Sequence, residues 1–462
     1  MASLTDWPWR SWAASQPMAP ALIDDDGVWS WQQLSGHLNK LASNFVRQGV
    51  QPGMGVVLRG KNSTDMLFCY LALLQCGARL LPLNPQLPDT LLDTLLPALN
   101  IEYGLSAEEY AWPQGITPLN LSASSQDDAF PVLPWQAQRL ATMTLTSGSS
   151  GMPKAAVHTC EAHLASADGV LALMAFSAGD RWLLSLPLFH VSGQGIVWRW
   201  LAAGASLVVK PDQPLDVALR VCTHASLVPT QLWRLLSQNR SPISLRAVLL
   251  GGAMIPAELT QQAEARGIRC WCGYGLTELA STVCAKRANA SDGVGLPLAG
   301  REIRLEGEEI LLRGSSLAAG YWREGGLSPL TDEQGWFHTR DRGQWDGHEW
   351  RILGRLDNQF FSGGEGIQPE DVEAVLLQHP DVTYACVVPV DDQEFGQRPV
   401  AVVEVENALP LSQLVTWWQS RLAGFQRPVA CYLLPAALKN GGIKVSRRQV
   451  KAWVEQQSRG LA

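Results

Sequence analysis

A stretch of glycine and hydroxyl residues, TSGSSG at 146–151, is followed closely by Lys154. Glycines let backbone N–H groups turn toward an anion, hydroxyls add further donors, and a lysine adds a positive charge. This set of groups is suited to binding phosphate oxygens. The spacing differs from G-x-x-x-x-G-K-[ST], so the segment is not a Walker loop. Taken without its context, such a stretch is as often an ordinary surface loop as a phosphate site.

Two regular elements are predicted to position this loop, a strand over 141–147 and a helix over 160–174. Thr159 is suited to cap the N-terminus of the helix, and Glu161 falls in its first turn. Pro153 and Lys154, directly after the loop, favour a phosphate site without deciding between the two interpretations.

Short apolar runs such as 55–60 alternate with helical patterns over most of the chain, which predicts an α/β fold. From about Arg301, apolar and polar residues alternate as they do in antiparallel hairpins. Beyond Asp357 come a glycine-rich turn, a helix, two strands and another helix. We therefore predict a large N-terminal domain of layered sheets and helices over 1–356, and a small mobile α+β domain over 357–462.

The composition excludes several classes of protein. The chain has 462 residues, 46% of them hydrophobic, and a net charge of −7, which argues against nucleic acid as a partner. Nine cysteines show no disulfide framework, and the pair in Cys270-Trp271-Cys272 is too close for a usual zinc site. Free thiols indicate the cytoplasm. No signal peptide or membrane-spanning apolar run is present, so membrane insertion is not expected. The sequence leaves a homo-oligomer open.

Five segments resemble, in the required order, the motifs of the acyl-adenylate-forming enzymes, a family of acyl-CoA synthetases, peptide-synthetase adenylation domains and luciferases. They are TSGSSGMPKAAVHT (146–159), LPLFHVSGQG (186–195), GYGLTEL (273–279), HTRDRG (338–343) and GRLDNQFFSGGEGIQPEDVE (354–373). Ala155 stands where the family usually has glycine. The resemblance covers nearly the whole chain. It implies a two-step reaction with ATP and Mg²⁺, in which a carboxylate forms an acyl-adenylate and coenzyme A then displaces AMP.

The resemblance also assigns a nucleotide site. Glu278 would hold Mg²⁺, Thr277 would donate to the α-phosphate, and Tyr274 would offer its ring to adenine. Asp341 and Arg355 would bind the ribose hydroxyls. The remaining residues of the ATP/AMP site would be Thr146, Ser147, Gly148, Ser149, Ser150, Gly151, Lys154, Gly252, Gly273 and Gly275. As alternatives, a Thr-Glu pair is often only a helix N-terminus, and a tyrosine is as often a core residue.

The same family rotates its small domain between the two half-reactions. The pivot would be Asp357, and Gly363 and Gly364 would line the coenzyme A channel. The family's catalytic lysine follows a glycine near the C-terminus, where this chain reads NGGIK. Lys444 is the preferred candidate for this role, and Lys439 is the alternative.

The acid site should include a helix over 192–204 that is apolar except for Arg199. Ser192 lies two turns before Arg199, so both can face one cavity. A buried arginine requires an anionic partner, although an arginine at a helix edge can also extend its charge to solvent. With the family context, Arg199 and Ser192 suggest an acid with a second carboxylate, and His190 either shapes the pocket or is structural.

These features resemble the branch of the family that joins o-succinylbenzoate, an aromatic dicarboxylate, to coenzyme A in menaquinone biosynthesis. Three alternatives stay open: another aryl- or acyl-CoA ligase of the same fold, a homologue that binds nucleotide without catalysis, and an oxidising luciferase.

Overall fold

The computed structural model describes residues 4–121, 131–146, 154–237, 244–251, 255–323, 325–363, 365–406, 409–439 and 445–459. The chain divides into two compact units. The first comprises Met1–Ile303 and Leu312–Phe337, and the second comprises Arg304–Leu311 and His338–Ala462. The second unit therefore takes in residues well before Asp357, and the predicted boundary at Asp357 stays a prediction.

The helices of the described residues are, in chain order, α1 (Pro8–Ser15), α2 (Trp31–Arg47), α3 (Thr64–Gln75), α4 (Asp89–Ala98), α5 (Cys160–Met174), α6 (Val191–Ala203), α7 (Leu215–Ala218), α8 (Pro229–Ser237), α9 (Ala257–Ala265), α10 (Pro369–Leu376), α11 (Leu411–Gln419), α12 (Ala436–Lys439) and α13 (Arg447–Arg459). Short 3₁₀ turns lie at Leu219–Val221, Thr277–Leu279, Leu356–Asn358 and Gly424–Gln426. No helix among these residues is both long and apolar enough to cross a membrane.

The strands are β1 (Pro20–Ile23), β2 (Val28–Ser30), β3 (Gly55–Arg59), β4 (Arg79–Leu83), β5 (Ile101–Ser106), β6 (Thr117–Pro118), β7 (Leu140–Thr146), β8 (Lys154–Thr159), β9 (Arg181–Leu183), β10 (Ser206–Val208), β11 (His224–Leu227), β12 (Ala247–Leu250), β13 (Arg269–Leu276), β14 (Ser281–Arg287), β15 (Leu296–Pro297), β16 (Arg301–Glu306), β17 (Glu309–Gly314), β18 (Gly320–Arg323), β19 (Gly326–Ser328), β20 (Phe337–Trp345), β21 (Trp350–Arg355), β22 (Phe360–Ser362), β23 (Glu365–Ile367), β24 (Val382–Asp392), β25 (Gly396–Val405) and β26 (Ala430–Leu433).

Two large sheets form the first unit. One has the strand order β15-β14-β13-β12-β11-β9-β10-β1-β2 and the other β19-β18-β8-β7-β4-β3-β5-β6. The central strands of each sheet run parallel. Antiparallel strands close both edges of the nine-stranded sheet and one edge of the eight-stranded sheet, whereas β6 at its other edge pairs parallel with β5. Strands such as β4 and β12 are buried throughout, which explains why they are continuous apolar runs in the sequence. The predicted layering of sheets and helices is confirmed.

The second unit contains a sheet of β23-β22-β25-β24, with β26 beside β25, and strands of a four-stranded sheet ordered β16-β17-β20-β21. Alternate residues of β24 point to opposite faces. Ala385 and Val387 join a core with α10 and α11, whereas Cys386 and Val388 join a second core with α13. This period of two explains the alternating pattern in the sequence. The predicted α+β character and antiparallel hairpins of this part are confirmed.

Candidate active site

The two ends of the glycine-rich loop lie side by side. Strands β7 and β8 pair antiparallel, and Thr146 is opposite Lys154 in the register. The loop between them, 147–153, lies outside the described residues, so the predicted phosphate donors Ser147, Gly148, Ser149, Ser150 and Gly151 stay predictions. After β8, Thr159 caps α5 by accepting a hydrogen bond from the Ala162 N–H at 3.1 Å, as predicted.

Strand β8 was not among the elements predicted from the sequence. Its alanines, Ala155 and Ala156, have a weak preference for strands. They are buried nonetheless, and β8 pairs with β7 on one side and with β18 on the other. Tertiary pairing therefore decides the conformation of this segment.

The Gly-Tyr-Gly motif forms the end of strand β13, in a hairpin with β14. The register shifts between Tyr274 and Gly275. A Cβ atom on Gly275 would lie 2.1 Å from the Ser281 carbonyl oxygen, so the close approach of the two strands requires glycine there. The hairpin connection contains a 3₁₀ turn at Thr277–Leu279, which presents both Thr277 and Glu278.

Glu278 receives a hydrogen bond from a residue that sequence analysis missed. The Tyr321 hydroxyl donates to Glu278 Oε1 at 2.7 Å, and Lys154 Nζ lies 5.1 Å from the centre of the Tyr321 ring. Strand pairing brings these groups together, since Tyr321 is opposite Ala156 in the β8–β18 register. The predicted phosphate lysine and the predicted Mg²⁺ ligand thus both lie near one tyrosine.

The groups around Glu278 fit a magnesium ion that also binds phosphate. Magnesium in nucleotide enzymes is commonly held by one or two carboxylates together with substrate phosphates and water. Among the described residues, no three His, Cys, Asp or Glu side chains cluster closely enough to hold a metal ion by themselves. A single carboxylate, hydrogen-bonded to the tyrosine that also lies near Lys154, matches a site that nucleotide phosphates complete.

Arg199 is buried on helix α6, with 1% of its surface exposed. The prediction of a helix is confirmed, and the alternative of an arginine extending to solvent is wrong. The guanidinium donates to the hydroxyls of Ser226 at 3.4 Å, Ser281 at 3.2 Å and Thr282 at 3.5 Å. Its Nε atom has no hydrogen-bond partner. No carboxylate among the described residues pairs with Arg199.

The buried environment of Arg199 makes its positive charge energetically unfavourable when no ligand is bound. Burial and the nearby Arg301 lower the pKa of Arg199 to about 9, so the guanidinium is still positively charged at neutral pH. A Cβ atom on Gly195 would lie 3.1 Å from Arg199 Nη2 and 3.3 Å from Ser281 Oγ. Glycine at this position therefore leaves space around the guanidinium. A positive charge surrounded by neutral hydroxyls is an arrangement that an anion can complete.

The hydroxyl groups of Ser226, Ser281 and Thr282 were not predicted from the sequence. Serine and threonine are common residues, and only the pairing of β11, β14 and their neighbours brings these three to one guanidinium. The predicted acid-site residue Ser192 lies in the first turn of α6, and His190 immediately precedes that helix. Both are in the same unit as Arg199.

Helix α6 is also hydrogen-bonded to strand β7. Gln194 of α6 donates to the Thr144 hydroxyl of β7 at 3.1 Å and to the Leu188 carbonyl at 3.0 Å. Thr144 lies two residues before Thr146 on β7. One side chain thereby links the element that carries Arg199 to the strand that leads into the phosphate loop.

The predicted ribose residues lie in the second unit. Asp341 and Arg355 are opposite each other on β20 and β21, and Arg355 donates to Asp341 at 3.1 Å and to Asp357 at 2.9 Å. Arg340 also donates to Asp357, at 3.1 Å. Although partial burial favours the protonated carboxyl, the hydrogen bonds from Arg355 and Arg340 lower the pKa of Asp357. The predicted pivot is therefore an ion-paired carboxylate.

Other predicted residues divide between described and undescribed parts of the chain. Gly363 follows β22 in the hairpin with β23, and a Cβ atom there would lie 3.0 Å from the Phe395 ring. Lys439 forms an ion pair with Glu404 at 2.5 Å. Gly252, Gly364 and Lys444 lie outside the described residues, so their roles stay predictions.

Comparison with known proteins agrees with the motifs and with both units. The family model of the AMP-binding enzymes matches residues 9–322, and the model of their C-terminal domain matches residues 371–458. The 2-succinylbenzoate–CoA ligase of Salmonella typhimurium strain LT2 is 58% identical over 452 residues, which cover 98% of each chain. The chain belongs to the AMP-binding enzymes. Within that family it is a member of the 2-succinylbenzoate–CoA ligases.

Solved structures of this ligase family have the same fold. A variant of E. coli MenE with bound OSB-AMS has 53% identity and a TM-score of 0.92, over 99% of this chain and all of that one. The o-succinylbenzoate CoA synthetase of Bacillus subtilis has 26% identity. Its complex with the acyl-adenylate intermediate OSB-AMP has a TM-score of 0.85, over 96% of this chain and 98% of that one. Its complex with ATP and magnesium ion has a TM-score of 0.84, over 93% and 96%.

Proposed function

We propose that this AMP-forming ligase activates o-succinylbenzoate and joins it to coenzyme A, giving o-succinylbenzoyl-CoA, AMP and pyrophosphate for menaquinone biosynthesis. The observation that carries the choice of acid is the buried guanidinium of Arg199 with only neutral partners among the described residues. The relatives that act on this acid, at up to 58% identity, support the same choice.

In the first half-reaction, a carboxylate oxygen of the acid attacks the α-phosphorus of ATP. The bond from that phosphorus to the bridging oxygen of the β-phosphate breaks, and pyrophosphate leaves with the electron pair. Negative charge grows on the departing phosphates, and fixed positive groups stabilise it. Lys154 and the 146–151 loop would supply this stabilisation, and Thr277 would donate to the α-phosphate. Mg²⁺, which Glu278 would hold, neutralises phosphate charge when bound.

The acid presents two carboxylates with different tasks. The succinyl carboxylate reacts with ATP, and the carboxylate on the ring would bind Arg199 together with Ser192 and the hydroxyl of Ser281. Charge-assisted hydrogen bonds between a guanidinium and a carboxylate are among the stronger polar contacts in proteins. A fatty acid or benzoate has a single carboxylate, which the reaction itself uses, and would leave Arg199 unpaired. This difference gives selectivity for a dicarboxylate.

In the second half-reaction, the thiolate sulfur of coenzyme A attacks the acyl carbon, the bond from that carbon to the phosphate oxygen breaks, and AMP leaves with the electron pair. We infer that the small domain over 357–462 moves between the two steps about Asp357, and that the Gly363–Gly364 turn lines the thiol channel. The ion pairs of Asp357 with Arg340 and Arg355 would then have to rearrange during the movement. Asp341 and Arg355 would hold the ribose hydroxyls in both steps, because a carboxylate accepts and a guanidinium donates.

The proposed location is the cytoplasm. All nine cysteines are free, which is typical of a reducing compartment. Self-association stays a prediction, and light scattering of the purified protein would test it.

The test is mass spectrometry of products formed from ATP, Mg²⁺, coenzyme A and a panel of acids. We expect o-succinylbenzoyl-CoA and AMP with o-succinylbenzoate, and little thioester with benzoate or a fatty acid. The matched control is the o-succinylbenzoate monoester blocked at the ring carboxylate, which keeps the reactive carboxylate and removes only the anion for Arg199. Equal turnover of the monoester, benzoate or a fatty acid would refute the proposed substrate. Acid-dependent exchange of pyrophosphate into ATP excludes an inactive homologue.

A further inference from the structure

The backbone of segment 184–188 needs hydrogen-bond partners from outside regular secondary structure. It leaves strand β9 after Leu183 and runs to His190, immediately before helix α6, without forming a helix or strand. The side chains of Leu184, Leu186 and Leu188 are buried, with 6–7% of their surfaces exposed. Buried backbone N–H and C=O groups need partners, and here no neighbouring strand supplies all of them.

One carboxamide satisfies three of these groups. Asn62 donates through Nδ2 to the carbonyls of Leu184 at 3.3 Å and Leu186 at 2.8 Å. Its Oδ1 accepts from the N–H of Leu188 at 3.0 Å. The side chain of an asparagine carries the same donor and acceptor as a peptide group. Asn62 therefore takes the place of a paired strand along this segment.

The surrounding elements fix Asn62 in this position. It lies in the short connection between β3 and α3, and Ser63 caps α3 by accepting from the Met66 N–H at 3.1 Å. Strand β3 belongs to the eight-stranded sheet, whereas β9 belongs to the nine-stranded sheet. Asn62 thus joins the carboxyl ends of one parallel strand from each sheet. Crevices at the carboxyl ends of parallel strands are where α/β proteins bind ligands.

The held segment leads directly to the acid site. His190 and helix α6 follow it, and the Leu188 carbonyl accepts from Gln194 on the first turns of that helix. A Cβ atom on Gly193 would lie 2.1 Å from the Pro187 carbonyl oxygen, so helix and segment are in close contact. A displacement of the segment would therefore move the start of α6, on which Arg199 lies two turns further.

We propose that Asn62 is a positioning residue for the acid substrate, which it serves by holding the 184–188 segment and the start of the Arg199 helix in place. The proposal rests on the proposed function, because it assigns the acid to the site of Arg199. Asn62 is not proposed to contact ATP or to take part in proton transfer.

Gln48 offers a matched control. Its carboxamide also makes three hydrogen bonds to backbone, to the Asn120 carbonyl at 3.0 Å, the Asn120 N–H at 2.8 Å and the Asn44 carbonyl at 3.4 Å. It lies after helix α2, beside the edge strand β6. The variants Asn62→Ala and Gln48→Ala thus remove the same kind of bonds from two different places.

The experiment measures KM for acid and for ATP by acid-dependent pyrophosphate exchange, in the wild type, Asn62→Ala, Asn62→Asp and Gln48→Ala. We expect KM for the acid to rise about tenfold or more in both Asn62 variants, since each loses hydrogen bonds that hold the segment. KM for ATP should stay within about twofold, and Gln48→Ala should leave both constants within about twofold. Asn62→Asp keeps the shape but cannot donate when ionised, so lowering the pH should partly restore its KM for the acid relative to wild type.

Two kinds of result would overturn the proposal. One is a KM for the acid within twofold of wild type in both Asn62 variants. The other is a parallel rise of both KM values, or loss of folded protein in both Asn62 variants while Gln48→Ala folds, because the role of Asn62 would then be structural. Inactivity of the wild type with o-succinylbenzoate would refute only the proposed substrate, and the same comparison would then use the acid that the panel identifies.

Discussion

The Ser281 hydroxyl lies 3.2 Å from Nη2 of Arg199, and Ser281 presents it from a backbone with φ of 125°. Ala280 before it also has a positive φ, of 53°. Such conformations cost about 1–3 kcal/mol each in residues with a Cβ atom. Ser166 stabilises the turn by donating to the Ala280 carbonyl at 2.9 Å. The strained turn lies directly after Thr277–Leu279, so it connects the predicted phosphate ligands to the arginine that is proposed to bind the acid.

Substitution of Ser281 should separate stability from acid binding. Ser281→Ala and Ser281→Gly both remove the hydroxyl, and we expect KM for the acid to rise about three- to tenfold in each. Only glycine relieves the positive φ, so Ser281→Gly should be more stable than Ser281→Ala by about 1–2 kcal/mol. Thermal unfolding and pyrophosphate exchange measure the two effects. Equal stability of the two variants would show that the backbone at Ser281 is not strained.

Arg199→Met should stabilise the ligand-free protein while it removes acid binding. Replacing a buried charge that has only neutral partners by an apolar side chain of similar length removes the desolvation cost, commonly about 1–4 kcal/mol. KM for the acid should rise more than about a hundredfold, and KM for ATP should change little. Arg199→Lys keeps the charge without the planar donors. Its KM for the acid should therefore fall between the values of the wild type and of Arg199→Met. A stable Arg199→Met variant that still uses the dicarboxylate would contradict the assignment.

The sequence predicted the elements better than the contacts between them. Helix 160–174 and its cap at Thr159 follow local rules, and they were predicted correctly. The burial of Arg199 was predicted only with the family context, because an arginine at the edge of an apolar helix can also extend its charge to solvent. In contrast, Tyr321 lies 43 residues from Glu278 along the chain, and only the pairing of β18 with β8 brings it to the site. Its local sequence contains no signal of this, and the same holds for Ser226 and Asn62.

Tyr321→Phe should weaken the response to magnesium. The tyrosine donates to Glu278 at 2.7 Å, and groups that orient a metal ligand commonly affect metal affinity by about 10–100-fold. We expect the Mg²⁺ concentration for half-maximal pyrophosphate exchange to rise about threefold or more, with KM for the acid unchanged. Trp322→Phe is the matched control, because it removes a donor to Asn100 at 3.1 Å from the next residue of the same strand. The same Mg²⁺ response in both variants would argue against a role for the Tyr321 hydroxyl.

Lys444→Ala and Lys439→Ala should distinguish the two candidates for the adenylating lysine. Lys439 is already paired with Glu404, which favours a role for Lys444 instead. We expect Lys444→Ala to reduce acyl-adenylate formation by more than about a hundredfold, because a positive charge on the reacting phosphate is lost. Lys439→Ala should stay within about twofold of wild type, as expected for an exposed ion pair. Both variants should still transfer the acyl group of preformed acyl-adenylate to coenzyme A. A larger loss of acyl-adenylate formation in Lys439→Ala than in Lys444→Ala would assign the role to Lys439.

Two buried histidines should make the protein less stable in mild acid. Burial lowers the pKa of His158 to about 4, and it lowers the pKa of His163, 5.1 Å away, well below the ordinary value. Below about pH 6.5, the unfolded chain binds protons at these positions and the folded chain does not, so stability falls as the pH falls toward 4. At pH 5 the loss is about 2 kcal/mol for His158.

His158→Met should reduce this pH dependence, because it removes a group whose pKa is lowered in the folded protein. Calorimetry at pH 7.5 and pH 5 measures the effect as the difference in unfolding temperature between the two conditions. We expect a smaller difference in His158→Met than in wild type, and a smaller one again when His163→Met is added. An unchanged difference in the double variant would mean that other groups cause the loss of stability in acid.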